Sequence, residues 1–131
     1  MSASEPVVAD EWPGHFPAAC PPADADDLSG TVFLLVATDP PTVHDMECAI
    51  DRKTFKNEPE CFRASLSCAR SAVHLDETRR AVPRLRQFVC AQADLGPAHG
   101  KIMKTRGPGH YSMWLRAKYL AIGHTLFRVP R

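Results

Sequence analysis

The stretch HGKIMKTRGPGHYSMW, residues 99–114, decides how the chain is read. Gly107-Pro108-Gly109 is the sharpest break in the second half of the sequence, and turn residues of this kind separate strands. Lys101 to Lys104 precedes it as a short strand. His110 to Ala117 follows with Tyr111, Met113 and Leu115 alternating against His110, Ser112, Trp114 and Arg116, the period-2 signature of a strand with two unlike faces. If the two segments pair as a hairpin, His110, Ser112 and Trp114 share a face, with Lys101 or Lys104 opposite them according to register.

Working outward, Thr31 to Ala37 (TVFLLVA) is short, apolar and β-branched at its start, which predicts a strand. Its apolar residues on both faces place it centrally in a sheet. Asp39-Pro40-Pro41 ends it. Thr42 with Asp45 three residues on approaches a capping box and predicts a short helix. Cys61 to Arg70 alternates and predicts a half-buried strand. Asp76 caps a helix to about Ala81, and Pro83 ends that helix or starts the next. Phe88 to Leu95 fits a helix better than a strand. Lys118 to Ile122 and His124 to Val129 predict two closing strands.

The sum is an α+β fold: a mostly antiparallel sheet with two or three helices packed on it and an extended proline-rich N-terminal strap. Residues 1–11 are expected to be a disordered leader, and residues 12–131 one domain, as the length of 131 suggests. Trp12 and Phe16 anchor the strap, since burying either ring is worth roughly 1.5–3 kcal/mol.

The net charge of +1 conceals a division. Residues 1–51 hold ten acids and no Lys or Arg, while residues 52–131 hold all sixteen Lys and Arg against five acids. This asymmetry predicts that the acidic opening lies against the basic remainder and largely neutralises it, and it marks an interaction surface. Five cysteines, an odd number without close pairing, predict reduced thiols and a cytoplasmic protein. The longest apolar run, Val32 to Ala37, is far below the ~20 residues of a membrane span, so no membrane is expected. Cys61 and Cys68 point to opposite faces of their strand, and no Cys-x-x-Cys or His-x-x-x-His pair occurs. No metal site and no cofactor are therefore expected.

The His99–Ser112 region is the candidate site. Two imidazoles near their working pH, with cations beside a phosphate, suffice for metal-free RNA cleavage. Lys104, Arg106, Tyr111, Trp114 and Arg116 add positive charge and stackable rings, as single-stranded nucleic acid requires. The region resembles small His/Lys ribonuclease toxin domains of bacteria. That resemblance implies His99 and His110 as base and acid, Lys101 on phosphate, and Thr105 and Ser112 in support, within a toxin–antitoxin or defence component.

Ser65-Leu66-Ser67, following the Thr31–Ala37 strand, resembles ADP-ribosyltransferase-like domains. Here Leu34 and Leu35 stand where that family has a His or Arg, and Glu77 falls in a helix, so the resemblance implies a degenerate domain. The chain also resembles small bacterial proteins with a CPPADA segment, here Cys20 to Ala25, and a C-terminal GHYSMW-type block, a resemblance that implies domain extent and brings no known activity with it. No complete catalytic set emerges. The expected function is a protein-interaction or regulatory module with a protein partner or a second copy, the alternative being an RNA-acting protein.

Overall fold

The computed structural model describes residues 11–107 and 109–130. The leader expected at the start lies outside the described residues, apart from Glu11. The fold is α+β. Its strands are β1 (Asp26–Asp27), β2 (Gly30–Val36), β3 (Leu66–Cys68), β4 (Val89–Leu95), β5 (Gly100–Lys104) and β6 (Tyr111–Leu115). Its α-helices are α1 (Ala49–Arg52), α2 (Glu60–Arg63), α3 (Ala72–Ala81), α4 (Ala117–Leu120) and α5 (Gly123–Leu126). Short 3₁₀ turns occupy Val43–Met46 and Pro83–Leu85.

Every strand pair is antiparallel. One sheet runs β1-β5-β6-β3 and the other is the pair β2-β4. Phe33 of β2 exchanges backbone hydrogen bonds of 2.8 and 2.9 Å with Ala69, just past β3. The two sheets therefore meet along a seam.

Neighbouring residues of β6 serve different cores, because side chains alternate across a strand. Met113 and Leu115 join Leu66, Ile102, Val32, Leu34, Val36, Ala91, Ala93 and Phe127 in the larger core. Trp114, on the opposite face, meets Cys20 and Ala25 with Trp12, Phe16, Phe62 and Met103 around them. The segment of residues 11–25 thus packs on one side of the four-stranded sheet and the β2-β4 pair on the other. Gly100 sits so close to the Trp114 carbonyl that a Cβ there would run into it.

Several expectations are corrected. Phe88 to Leu95 is not a helix: Val89–Leu95 is a strand paired with β2 along its whole length, Gly30 opposite Leu95 and Val36 opposite Val89. Ala91, Ala93 and Leu95 are buried at alternate positions, a period a helix could not use. β2 is not apolar on two equivalent faces. Val32, Leu34 and Val36 are buried, while Thr31, Phe33 and Leu35 are half-buried, and among the described residues its second edge carries only the bridge from Phe33 to Ala69.

Cys61 to Arg70 is not one strand, because Pro59 starts the turn of α2 and only three residues of β3 remain to pair with β6. The cap of α3 is Ser71, whose Oγ accepts the His74 N–H at 3.3 Å. Asp76 lies one turn further in and holds Arg79 at 2.7 Å and Arg80 at 2.8 Å. The two closing strands are the short helices α4 and α5, and only Arg128 reaches Gln92 as an isolated bridge. The Thr42 turn forms as its sequence implies: Asp45 accepts the Thr42 N–H at 2.8 Å and the Ala37 N–H at 2.9 Å, tying the turn to the end of β2.

The thiols are not all reduced. Cys20 and Cys61 form a disulfide across a sequence separation of 41, and Cys48, Cys68 and Cys90 are free. Spacing gave no hint of this pair. Residues 11–25 fold back over Trp114 and bring the two Cα atoms to 5.5 Å.

Candidate functional site

The β5–β6 register decides which predicted site residues meet. Gly100 faces Leu115 at one end of the hairpin and Lys104 faces Tyr111 at the other. His99 and His110 therefore stand beyond opposite ends. At ~3.4 Å per residue that is about 20 Å, far outside the range of two groups acting on one phosphodiester. The acid–base pair expected of a ribonuclease is not assembled. His99 instead fixes a turn: its Nδ1 accepts the Gly96 N–H at 2.9 Å and its ring lies 4.5 Å from that of Tyr119.

Lys101 falls on the Trp114 face and pairs with Asp27 at 2.8 Å, and the hydrogen bond and charge of its ammonium hold the Asp27 carboxyl below the usual carboxylate range. Lys104 is exposed opposite Tyr111, on the other face. Trp114 is not a binding residue. It is fully buried, with its indole N–H donated to the Cys61 carbonyl at 2.9 Å. The Arg116 guanidinium lies 4.4 Å from the centroid of the Trp12 ring. Tyr111 is half-buried with Arg70 near its ring.

Thr105, His110 and Ser112 do come together. Thr105 Oγ1 is 3.0 Å from His110 Nδ1 and 2.9 Å from Ser112 Oγ. Ser112 is buried and opposes Ser67 of β3. The hairpin tip rests on α3 at Gly109, where φ is +79° and a Cβ would come within 2.8 Å of His74 Nδ1. A side chain at this position would lift the tip that carries His110.

This tip forms one wall of a groove of about 360 Å³, within the ~300–1,000 Å³ range of ligand sites. Buried Leu34, Leu66 and Leu75 supply apolar lining, with half-buried Phe62 and Phe88. Ser65, Ser67, Cys48 and Cys68 add small polar groups. Arg52, Arg63, Arg84 and Arg106 bring four guanidinium groups to the same groove, against the carboxylates of Asp45 and Glu47. Arg63 donates to the Thr54 carbonyl at 3.1 Å, Arg106 pairs with Glu58 at 3.6 Å and lies over the exposed Phe55 ring, and Arg52 lies 3.8 Å from Glu47. Arg84 makes no hydrogen bond or ion pair with another described residue.

Burial, reinforced by the nearby Arg106 cation, lowers the His110 pKa from its usual 6.5. The imidazole is accordingly neutral at neutral pH and can accept or donate one hydrogen bond beyond Thr105. Burial pushes the Cys68 thiol up to about 12, which removes it as a nucleophile, and also raises Cys48.

The His110 shift has a sign that can be measured. The unfolded chain binds a proton near pH 6.5 while the folded chain resists it, so stability is complete above that value and declines as pH falls below it. Melting temperature recorded from about pH 7.5 down to about pH 5 should fall less steeply in His110→Gln than in the wild type. Equal slopes would show that His110 is not held neutral.

Sequence reasoning missed Arg52, Arg63 and Phe55. Arg84 stands close in sequence to three further arginines, Arg79, Arg80 and Arg86, which have other partners. In the structure Arg79 turns to Asp76 and the Arg86 carbonyl, and Arg86 to the Arg80 carbonyl, closing the end of α3. The groove walls come from distant segments, so no local spacing signals them. Across the charge division, ion pairs join Asp27 to Lys101 and Glu47 to Arg52. No protein family, curated protein or solved structure matches the chain.

Proposed function

We propose that the protein is an interaction module whose groove receives a short acidic segment of a partner protein, anchored by an apolar side chain. The observation that carries this reading is the combination of four arginines with buried leucines and half-buried phenylalanines around one groove of about 360 Å³. Guanidinium groups favour carboxylates through paired, charge-assisted hydrogen bonds. The apolar lining adds contact area that a purely acidic polymer would not use. His110, neutral and flanked by hydroxyls, offers a hydrogen bond without repelling a cationic neighbour. Its Nδ1 partner is a hydroxyl rather than a carboxylate, and its expected imidazole partner stands at the far end of the hairpin, which favours binding over acid–base catalysis.

The test uses fluorescence anisotropy with labelled peptides alternating Asp or Glu with Leu or Phe, their apolar-free counterparts, and single-stranded RNA of equal charge. The apolar acidic peptide should bind tightest. Arg84→Glu and Arg106→Glu should each weaken it tenfold or more, as loss of a charge-assisted contact worth about 1.5–3 kcal/mol implies. Preferential binding or cleavage of RNA would overturn the proposal in favour of a nucleic-acid role. Sedimentation across a concentration series distinguishes a foreign partner from a second copy.

The cellular setting is part of the same test. No helix among the described residues is long and apolar enough to cross a membrane. A cytoplasmic setting requires Cys20–Cys61 to persist in a reducing thiol pool, which seldom preserves structural disulfides. Alkylation of thiols at the moment of cell lysis, followed by mass spectrometry, decides the matter.

A further inference from the structure

We propose that His15, Cys48 and Asp51 form a three-ligand site for a divalent ion of the zinc class. One imidazole nitrogen, the thiol sulfur and one carboxylate oxygen lie within 4.8 Å of one another. Bonds of ~2.0–2.3 Å to a tetrahedral ion set neighbouring ligand atoms about 3.3–3.8 Å apart. The three groups need to close by only about 1 Å or so to reach that arrangement.

Two of the ligands are prepared by a single turn. Cys48 precedes α1 and Asp51 lies three residues on, so the Asp51 carboxylate folds back to accept the Cys48 N–H at 3.0 Å and its S–H at 3.4 Å. Such a turn caps a helix without any ion, and alone it would indicate nothing more. His15 is the independent observation. It belongs to the segment of residues 11–25, which is held in place by other means: the Glu11 carbonyl accepts the Ala117 N–H at 2.9 Å, Trp12 lies under Arg116, and Cys20 is bonded to Cys61. Helix capping does not account for an imidazole brought to this thiol and carboxylate from outside the turn.

Nitrogen, sulfur and oxygen donors together suit zinc or a similar borderline ion. Calcium and magnesium prefer oxygen alone. Binding replaces the thiol proton: the Cys48 S–H bond breaks, a sulfur–metal bond forms, and the proton passes to solvent. Three protein ligands leave a fourth position for water or an added ligand. Cys48 also lines the groove, so an ion here would add a Lewis acid beside the four arginines.

The experiment uses the full chain with its disulfide intact, treated with a chelator and then titrated with zinc or cobalt against a chromophoric competitor. We expect one equivalent to bind, release of about one proton per ion near neutral pH, and a thiolate-to-cobalt charge-transfer band. His15→Gln should weaken binding by about tenfold to a hundredfold while leaving the helix cap and the fold intact, as judged by circular dichroism. Cys48→Ser should abolish the charge-transfer band. His44→Gln, an exposed histidine next to Glu47, should change neither. Absence of stoichiometric binding, or a His15→Gln variant that binds as tightly as the wild type, would overturn the proposal. Because His15 does not line the groove, the His15→Gln variant lets ion binding and peptide binding fail or succeed independently.

Discussion

Trp114→Ala is expected to lower stability by about 3–5 kcal/mol, the usual cost of truncating a large buried aromatic residue. The ring is fully buried in the smaller core, between Cys20, Ala25 and Phe62. Little around it can collapse into the space. Phe62 is already in ring contact at 6.0 Å, and the disulfide keeps residue 20 where it is. The change also strips the Cys61 carbonyl of its indole donor, and an unsatisfied acceptor in a dry site adds its own penalty. Trp114→Phe isolates the second effect in large part, since it keeps most of the apolar area and leaves the Cys61 carbonyl without its donor, for about 1–3 kcal/mol. Urea unfolding followed by circular dichroism measures both. Domains of this kind have about 5–15 kcal/mol in total, so the alanine variant should unfold at a far lower midpoint. A midpoint within error of the wild type would mean that the indole is not buried against residues 11–25.

Removing the Cys20–Cys61 cross-link should cost about 4 kcal/mol. The loop it closes spans a separation of 41 residues, and the chain-entropy relation gives roughly that value for a loop of this length. The stabilisation acts chiefly on the unfolded chain, which loses conformations when its ends are tied. Thermal melts of Cys20→Ala/Cys61→Ala, and of the wild type with and without reductant, report it. Both comparisons should show the same large drop. If reductant leaves the melt unchanged while free thiols are shown to have formed, the docking of Trp12 and Phe16 alone holds residues 11–25 in place. The same melt bears on the proposed ion site, because His15 rides on this segment.

Much of the fold was legible where local chemistry and tertiary placement agreed. The Gly107-Pro108-Gly109 break and the alternation through Trp114 marked the hairpin, and the apolar run beginning at Thr31 marked β2. Asp39-Pro40-Pro41 and Thr42 marked the turn that follows. Misreadings came where two periods compete over a few residues. In Val89 to Leu95 the small residues Ala91 and Ala93 suit either a helix or a strand, and the choice was made by a partner strand seven residues long. Around Cys61 the alternating pattern is real, but Pro59 starts a helical turn there.

The candidate site was less legible. Thr105, His110 and Ser112 meet in the structure because they lie close in sequence and share one face of a hairpin. Joining His99 and Lys101 to them failed for a geometric reason, since an extended hairpin sends its two ends apart. The arginines of the groove and the ligands of the proposed ion site could not be found by spacing at all.

By itself the sequence determined the strands bounded by turn residues, the antiparallel hairpin and the division of charge, because each depends on neighbours along the chain. Tertiary structure alone decided the Cys20–Cys61 bond, the burial of Trp114, and the gathering of Arg52, Arg63, Arg84 and Arg106 around one groove. Those contacts join segments tens of residues apart, and they form only when burial of apolar surface offsets the entropy of bringing such segments together.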